Sequence, residues 1–347
     1  MQHESALYAR KPNIILLHAA KYRYIFRTFC LVLTNSLQSL HPGIMIQNRK
    51  GGTTLRRTAA LRQWLYVLFL LWLPLGLAAS TASQPSVAPE PIIIAHRGAS
   101  GYAPEHTLSS YRLAARMQAD YIEVDVRAAK DGKLVALHDA TLARTTNAET
   151  VYPRRAPWRV NDFSFAELRR LDAGSWFHPR FAGQRIPTLD EVIQMLKAER
   201  VEAPLYIETK QPGIEEAVVH LLKKHGFLQQ RRVMFQSFHP ESLQALRPLI
   251  PHGIRLIQLV GEKEAHSGRD ELLQQIAVYA DGIGLPLSAV TEEWVRAAHG
   301  RGLIVHVYTV NAPHDLERLC AMGVDGVFTD YPDRPARIAA CRRLPRH

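Results

Sequence analysis

The chain has 347 residues with 47% hydrophobic content, which is enough to bury a large core in one big barrel or in two domains. Its formal net charge of +11 is unevenly spread: residues 1–83 carry ten basic residues and one acidic residue, whereas the remainder carries 33 and 31. Because the remainder is nearly balanced, we do not expect a nucleic-acid partner.

Residues 45–83 have the pattern of a secretory signal peptide. Basic residues as far as Arg62 precede the almost unbroken apolar run Trp64–Leu77, and small residues suited to signal peptidase follow it at 78–83. The alternative for the apolar run is an uncleaved membrane anchor. With cleavage, we expect a mature protein without a membrane span, in the periplasm or secreted.

This pattern sets the expected boundaries of the chain. We expect Met45 to be the true start, residues 1–44 to be an over-extended reading frame and residues 84–91, rich in Pro, Ser and Ala, to be a linker. Residues 92–347 then form the catalytic domain, a suitable length for one (β/α)8 barrel of about 250 residues.

Short apolar runs alternate with helical patterns along this domain, which favours a parallel sheet. We predict a TIM-type (β/α)8 barrel, with a doubly wound open sheet as the alternative. Nine runs compete for the eight barrel places, and we expect Gly282–Leu285 to be the one outside the barrel. The nine predicted strands are Ile92–Ala95, Tyr121–Val126, Leu134–Leu137, Leu205–Glu208, Arg232–Gln236, Ile254–Val260, Gly282–Leu285, Leu303–Thr309 and Gly326–Thr329.

Helices are predicted between these strands, and an insertion follows the third strand. The segment Ala140–Thr188 is too long for a simple connection and reads as an insertion with one helix. Ser164 with Glu167, and Thr188 with Glu191, have the spacing of capping boxes before apolar-periodic runs. The other predicted helices are Leu108–Met117, Ile214–His225, Pro240–Leu249, Thr291–His299 and Pro313–Met322.

Glu123 and Asp125 form a candidate cation site. They are two residues apart on a predicted strand, so both side chains point to the same face. The alternating apolar residues Ile122, Val124 and Val126 point to the helices. Two inward carboxylates repel and are costly to desolvate, and a hard cation such as Ca²⁺ or Mg²⁺ would relieve both problems. The alternative is an exposed strand face with solvated acids.

The predicted strand at 205–208 ends in a third carboxylate, Glu208, and Lys210 follows on the same face. Glu208 could complete the ligand set, and Lys210 could meet an anion. Taken alone, the two residues would more often form a salt bridge.

His96 and His138 each end an apolar run and flank the carboxylate strand in sequence. A single histidine there is more often a satisfied core residue, but two of them suit general acid–base work on the two sides of a cleaved bond. Arg97, beside His96, offers a forked donor for a phosphate or a carboxylate.

Two later aspartates and two cysteines have structural roles or more than one possible role. Asp139 could orient a histidine or cap a turn, with the structural role slightly favoured, and Asp330 is expected to be a turn or cap residue. Cys320 and Cys341 either form a disulfide in an oxidising compartment or remain separate thiols.

Taken together, the motifs resemble those of the glycerophosphodiester phosphodiesterase family, over about Ile92 to Pro332. One departure is His106, where the family usually has Asn, and another is Tyr308, where Trp is common. The matching motifs, in chain order, are His96-Arg97-Gly98, Pro104-Glu105-His106-Thr107, Glu123-Val124-Asp125-Val126, His138-Asp139, Ile186-Pro187-Thr188-Leu189, Glu208-Thr209-Lys210 and Thr329-Asp330.

The resemblance implies a TIM-type barrel that hydrolyses glycerophosphodiesters, as small-molecule substrates, to sn-glycerol 3-phosphate and an alcohol. It implies that His96 and His138 are the acid–base pair and that Arg97 and Lys210 contact the phosphate. A divalent cation, Ca²⁺ or Mg²⁺, is implied as the cofactor. Its implied ligands are Glu123, Asp125 and Glu208.

Two other functions stay open at this point. The first is a lipid-headgroup phosphodiesterase resembling the sphingomyelinase D branch, which a large apolar rim at the barrel mouth would support. The second is a secreted protein that binds phosphodiesters without turning them over. A basic mouth lacking one of the acid–base or cation-binding groups would have favoured it.

Overall fold

Eight parallel strands close into a barrel in the computed structural model, which describes residues 90–229 and 232–334. The ring runs β1-β2-β4-β5-β6-β7-β8-β9 and returns to β1, so the predicted TIM-type barrel is confirmed. The strands are β1 (Ile92–Ala95), β2 (Tyr121–Ala128), β3 (Leu134–Ala136), β4 (Leu205–Thr209), β5 (Val233–Ser237), β6 (Leu256–Leu259), β7 (Gly282–Pro286), β8 (Ile304–Tyr308) and β9 (Gly326–Thr329).

The remaining strand, β3, lies outside the ring. It pairs antiparallel with the C-terminal end of β2, with Val126 opposite Ala136 and Ala128 opposite Leu134. Only five residues separate β2 from β3. A parallel crossover needs a dozen residues or more, so a connection this short can only form a hairpin.

The prediction that Gly282–Leu285 is the strand outside the barrel is therefore wrong. This segment is β7, which pairs with β6 and β8. Its glycines weaken the strand pattern, but space requires them: a Cβ on Gly282 would lie 2.5 Å from the Ile304 side chain. The neighbouring strands approach too closely there for any side chain.

Ten α-helices occur among the described residues. Two of them, α7 and α8, lie in a stretch where no helix was predicted. The ten are α1 (Leu108–Arg116), α2 (Ala148–Val151), α3 (Phe165–Leu168), α4 (Leu189–Ala198), α5 (Glu215–Lys224), α6 (Pro240–Leu246), α7 (Glu262–Ala265), α8 (Arg269–Ile276), α9 (Glu292–His299) and α10 (Pro313–Met322).

The insertion between β3 and α4 has a small core of its own. It contains two short α-helices, where one helix was predicted, and two turns of 3-10 helix. Both predicted capping boxes are present: Ser164 accepts from the backbone of Glu167, and Thr188 from that of Glu191. Each of these glutamates returns a bond to the N-cap backbone, which satisfies N–H groups that the helix cannot pair.

The barrel interior is layered, and the layering places the polar residues at one end. The lower layer is an apolar cluster that includes Ile94, Tyr206 and Phe328. Alternation along a strand returns the side chain to the same face two residues later. His96 and Glu208 therefore follow Ile94 and Tyr206 into the upper layer, at the carboxyl ends of the strands, where barrels of this type carry their active sites.

The segments predicted as an over-extended start and a signal peptide, and nearly all of the predicted linker, lie outside the described residues. Within the described residues, none of the helices has the length and apolar character needed to cross a bilayer.

Candidate active site

An open pocket of about 450 Å³ occupies the carboxyl end of the barrel. The charged residues of the lining come from β2 and β4, from the loop after β1 and from His138, which lies two residues after β3. The rest of the lining is largely apolar and aromatic. The lining residues are His96, Arg97, Glu123, His138, Glu208, Gln236, Phe238, Leu259, Tyr308, Thr309 and Phe328. This division suits a ligand with one anionic part and one carbon-rich part.

The loop after β1 brings Arg97 over the carboxylates. The backbone N–H of Arg97 donates to Glu123 Oε2 at 2.6 Å, and its Nη1 donates to Glu105 at 2.9 Å. The turn depends on a left-handed Gly98 (φ +85°), where a Cβ would also lie 2.5 Å from Ser110 Oγ. Burial lowers the pKa of Arg97, but Asp125 and the neighbouring glutamates outweigh burial and raise it.

His96 is oriented by Asp330, which the sequence predicted only as a turn or cap residue. The His96 Nδ1 lies 2.8 Å from Asp330 Oδ1. Because a carboxylate can only accept, Nδ1 carries the proton and Nε2 remains for the pocket. Asp330 also accepts from Ser100 and Asn311, and despite its burial these donors, His96 first, lower the pKa of Asp330 to about 2.

His138 reaches the same pocket by a different route. The β2–β3 hairpin turns the chain back, so that Leu137 N donates to the Asp125 carbonyl at 3.0 Å and His138 follows at the mouth. Its Nδ1 donates to Asp139 Oδ1 at 2.6 Å, which again leaves Nε2 free of protein partners among the described residues. Burial lowers the pKa of His138 to about 4, so the imidazole is neutral at pH 7.

The two histidines thus have the same arrangement: a carboxylate holds Nδ1, and Nε2 serves the pocket. Asp139 does more than cap a turn, because it also accepts from Arg144 Nε at 2.6 Å. Arg144 donates in turn to Glu105, the partner of Arg97. A continuous network of ion pairs therefore links the arginine beside His96 to the aspartate that orients His138.

Three buried carboxylates stand side by side below the histidines. Asp125 is opposite Glu208 in the β2–β4 register, and Glu123 is two residues before Asp125. Lys210 Nζ lies 2.7 Å from Glu208 Oε1 and 3.7 Å from Asp125 Oδ1. The predicted residues of the cation site and Lys210 are thus brought together, with Glu208 and Lys210 paired as an ion pair.

The carboxylates interact strongly. Burial, and then the charge of Asp125, raise the pKa of Glu208 to about 8, and the same two causes raise the pKa of Glu123 well above its usual range. Burial also acts to raise the pKa of Asp125, but Lys210 and His106 outweigh it and hold that pKa well below its usual range. Three such carboxylates cannot all ionise without additional positive charge.

The donor set fits a hard divalent cation. Asp125 Oδ1 is buried and has no hydrogen-bond partner, although a buried carboxylate oxygen normally has one. Ligand atoms of His106, Glu123 and Asp125 lie within 4.8 Å of one another. With Arg97 and Lys210, the three carboxylates reach neutrality when both a divalent cation and a singly charged phosphodiester are present.

His106 is the main residue of this cluster that the sequence did not place in the site. Its Nε2 lies 2.7 Å from Asp125 Oδ2, and its Nδ1 lies 2.7 Å from the Tyr111 hydroxyl. The carboxylate can only accept, so Nε2 donates to it and the ring orients Asp125. The sequence offered one indication that His106 belongs to the site: it stands in the Pro104-Glu105-His106-Thr107 motif where the family usually has Asn.

Arg144 and Asp330 are the other residues that matter here beyond the predicted set. Asp330 follows the last strand, as the predicted residues follow theirs, and this position was a usable signal. Arg144 lies in the insertion, and nothing in its local sequence indicates that it reaches Glu105, 39 residues earlier.

The barrel and this mouth define an α/β-barrel enzyme with a paired-histidine, carboxylate-lined site. The model of the glycerophosphoryl diester phosphodiesterase family matches residues 96–334. A glycerophosphodiester phosphodiesterase of Bacillus subtilis is 40% identical over 291 residues, covering 77% of this chain and 95% of the relative. One from Caldanaerobacter subterraneus is 35% identical over 70% of this chain and 95% of its own.

Solved structures agree with the sequence comparison. An Oleispira antarctica phosphodiesterase, in complex with the product sn-glycerol-3-phosphate, superposes with a TM-score of 0.60 at 32% identity, covering 71% of this chain and 95% of that one. A glycerophosphodiester phosphodiesterase from Agrobacterium tumefaciens gives 0.56 at 31% identity, covering 70% and 97%. The chain therefore belongs to the glycerophosphoryl diester phosphodiesterase family, and it is a phosphoric diester hydrolase.

Proposed function

We propose that the protein hydrolyses glycerophosphodiesters to sn-glycerol 3-phosphate and an alcohol, with a divalent cation as cofactor and His96 and His138 as the acid–base pair. The observation that carries the proposal is the matched pair of histidines in one pocket, each with Nδ1 on a carboxylate and Nε2 available. Relatives of this chain are named for the same reaction, and one binds its product.

The substrate phosphate would lie between Arg97 and Lys210. Both groups are largely buried, and a cation in a dry site stabilises negative charge that builds up in the transition state. A divalent cation held by Glu123, Asp125 and Glu208 would supply further charge neutralisation when bound. The glycerol carbons would pack on the aromatic side of the pocket, where Phe238 and Tyr308 lie 6.2 Å apart.

The two histidines would divide the proton transfers. His138 is neutral at pH 7, since burial lowers its pKa to about 4, so it would accept a proton from the attacking water, whose oxygen joins the phosphorus as the bond to the alcohol oxygen breaks. His96, whose Nδ1 is held by Asp330 at 2.8 Å, would donate a proton to the leaving alkoxide. Asp139 and Asp330 keep each ring in the tautomer that this exchange needs.

The test uses chelated, purified protein and measures release of sn-glycerol 3-phosphate from glycerophosphocholine and glycerophosphoethanolamine. Activity should disappear on chelation and return with Ca²⁺ or Mg²⁺, and Asp125→Asn should prevent the return. The matched control is Glu293→Gln, an exposed acid on α9. Full activity after chelation would remove the cation from the proposal, and no release with either ion from folded protein would remove the reaction.

A second candidate, hydrolysis of a lipid phosphodiester, is favoured by one observation. A cleft of about 1060 Å³ adjoins the active-site pocket and shares Phe238 and Leu259 with it. Most of its lining is apolar, and Phe238 and Val278 are 42% and 85% exposed. An acyl chain on the glycerol part of a substrate could extend over Phe238 into this cleft.

The lipid candidate predicts a preference that can be measured. Lysophosphatidylcholine, an acylated form of glycerophosphocholine, should be the better substrate. Val278→Asp should lower its kcat/KM about tenfold and leave glycerophosphocholine unchanged, whereas Leu249→Asp, at an exposed apolar residue outside both clefts, should alter neither. Equal rates for the two substrates in all three proteins would reject it.

The binding-protein alternative is weakened because the acid–base and cation-binding groups are all present in one pocket. We also propose a periplasmic or secreted location, supported by the signal-peptide pattern at 45–83. Cys320 is disulfide-bonded, which fits an oxidising compartment. Pairing with Cys341, one of the two alternatives left open by the sequence, stays untested because Cys341 lies outside the described residues.

A further inference from the structure

A second polar cleft lies beside the active site, between the β2–β3 hairpin, the start of the insertion and the residue after Lys210. It has an empty volume of about 610 Å³ and shares no lining residue with the active-site pocket. None of its lining residues is acidic. They are Arg127, Ala140, Thr141, Arg159, Val160, Asn161 and Gln211.

The two arginines of this cleft differ from those at the active-site mouth. Arg97 and Arg144 each form ion pairs with carboxylates. Within residues 90–229 and 232–334, neither Arg127 nor Arg159 has a carboxylate within ion-pair distance. The carboxylates whose charges act most strongly on Arg127 are Asp125, Glu208 and Asp139. Each of them has another partner in the active site. The cleft therefore holds two guanidinium groups that form no ion-pair contact with a carboxylate of the described residues.

The first guanidinium is fixed in place. Arg127 Nε and Nη2 donate to the His138 carbonyl at 3.0 and 2.8 Å, which leaves Nη1 and one Nη2 proton without a described partner. Gln211 stands beside it and uses its Oε1 to accept from Ala128 N at 3.4 Å, so its amide N–H₂ group remains available. The unpaired groups on this wall are thus hydrogen-bond donors.

The second guanidinium comes from a separate segment of the lining, which backbone pairing holds in position. Thr141 and Arg159 face each other in an antiparallel bridge. Flanking bonds from Leu142 N to the Trp158 carbonyl and from Val160 N to the Ala140 carbonyl, both 3.0 Å, secure it. The Arg159 side chain forms no hydrogen bond to another described residue, so all five of its donors are available.

We propose that this cleft is a binding site for a phosphate group, held between the guanidinium groups of Arg127 and Arg159. The forked guanidinium donor matches the oxygens of a phosphate, and two such donors facing one cleft without an acid favour a dianion. The phosphate has two possible sources: a second phosphate on the alcohol part of the substrate, or free inorganic phosphate. The first source rests on the proposed function, and the second does not.

Calorimetric titration of the purified full chain with inorganic phosphate tests the site. Arg159→Gln should weaken the phosphate-binding component about tenfold, the loss expected when one charge-assisted contact is removed. Arg154→Gln, at an exposed arginine of the same insertion that does not line the cleft, should bind phosphate as the wild type does. Equal phosphate binding by Arg159→Gln and the wild type overturns the proposal.

Kinetics distinguish the two sources. A glycerophosphodiester whose alcohol carries a phosphate is compared with the same diester without it. If Arg159→Gln lowers kcat/KM about tenfold for the phosphorylated substrate alone, the site serves the substrate; unchanged kcat/KM with weakened phosphate binding assigns it to free phosphate. If neither substrate is cleaved by the wild type, the proposed function fails, while the titration still decides the cleft.

Discussion

Replacing Asp330 by Asn should slow the chemical step without weakening substrate binding. The Asp330 carboxylate accepts from His96 and Ser100 through Oδ1 and from Asn311 through Oδ2. An asparagine has the same shape but a single acceptor oxygen, so one of these two sets must lose its acceptor. The Asn311 amide cannot turn without losing the bond that its Oδ1 accepts from the Asp330 backbone.

The size of the effect follows from the bond that is lost. A charge-assisted hydrogen bond contributes about 1.5–3 kcal/mol, and about 1.4 kcal/mol corresponds to a factor of ten in rate. We therefore expect kcat to fall about 10- to 100-fold. Asp330 does not line the pocket, so KM should stay close to that of the wild type.

Steady-state hydrolysis of glycerophosphocholine across pH measures this effect. Asp315→Asn removes a surface ion pair with Arg318 and serves as the control. A kcat within about twofold of that control would refute the orienting role of Asp330.

Four further outcomes are expected. His96→Gln and His138→Gln should each lower kcat by about 10²–10⁴-fold, and near-wild-type turnover in both would reject the acid–base pair. Gly98→Ala should lower the free energy of unfolding by about 1–3 kcal/mol in denaturant titration, because of the positive φ and the contact with Ser110. Burial lowers the pKa of His306 from 6.5 to about 4, so His306 contributes stability above pH 6.5 that is lost as pH falls towards 4; His306→Gln should remove about 3 kcal/mol of this dependence. Chelation should lower Tm and Ca²⁺ or Mg²⁺ should restore it, since a cofactor that binds only the folded state stabilises it.

The barrel, and the polar residues that gather at one end of it, could be predicted from the amino-acid sequence alone. Apolar runs set the strand positions to within a few residues, because a buried parallel strand must be apolar on both faces. The polar residues at the ends of these runs, His96, Glu123, Asp125 and Glu208, then had to meet at one edge, since parallel strands share a carboxyl end. The two-residue spacing of Glu123 and Asp125 also fixed their common face.

Two features became visible only in the folded chain: which strand lies outside the ring, and which residues each histidine contacts. The role of Gly282 depends on how closely β7 approaches its neighbours, which no local pattern records. The bonds from His96 to Asp330, and from Arg144 to Glu105, join residues 234 and 39 positions apart. The first contact depends on the closure of the barrel, which brings β9 beside β1. The second depends on the insertion reaching the loop after β1.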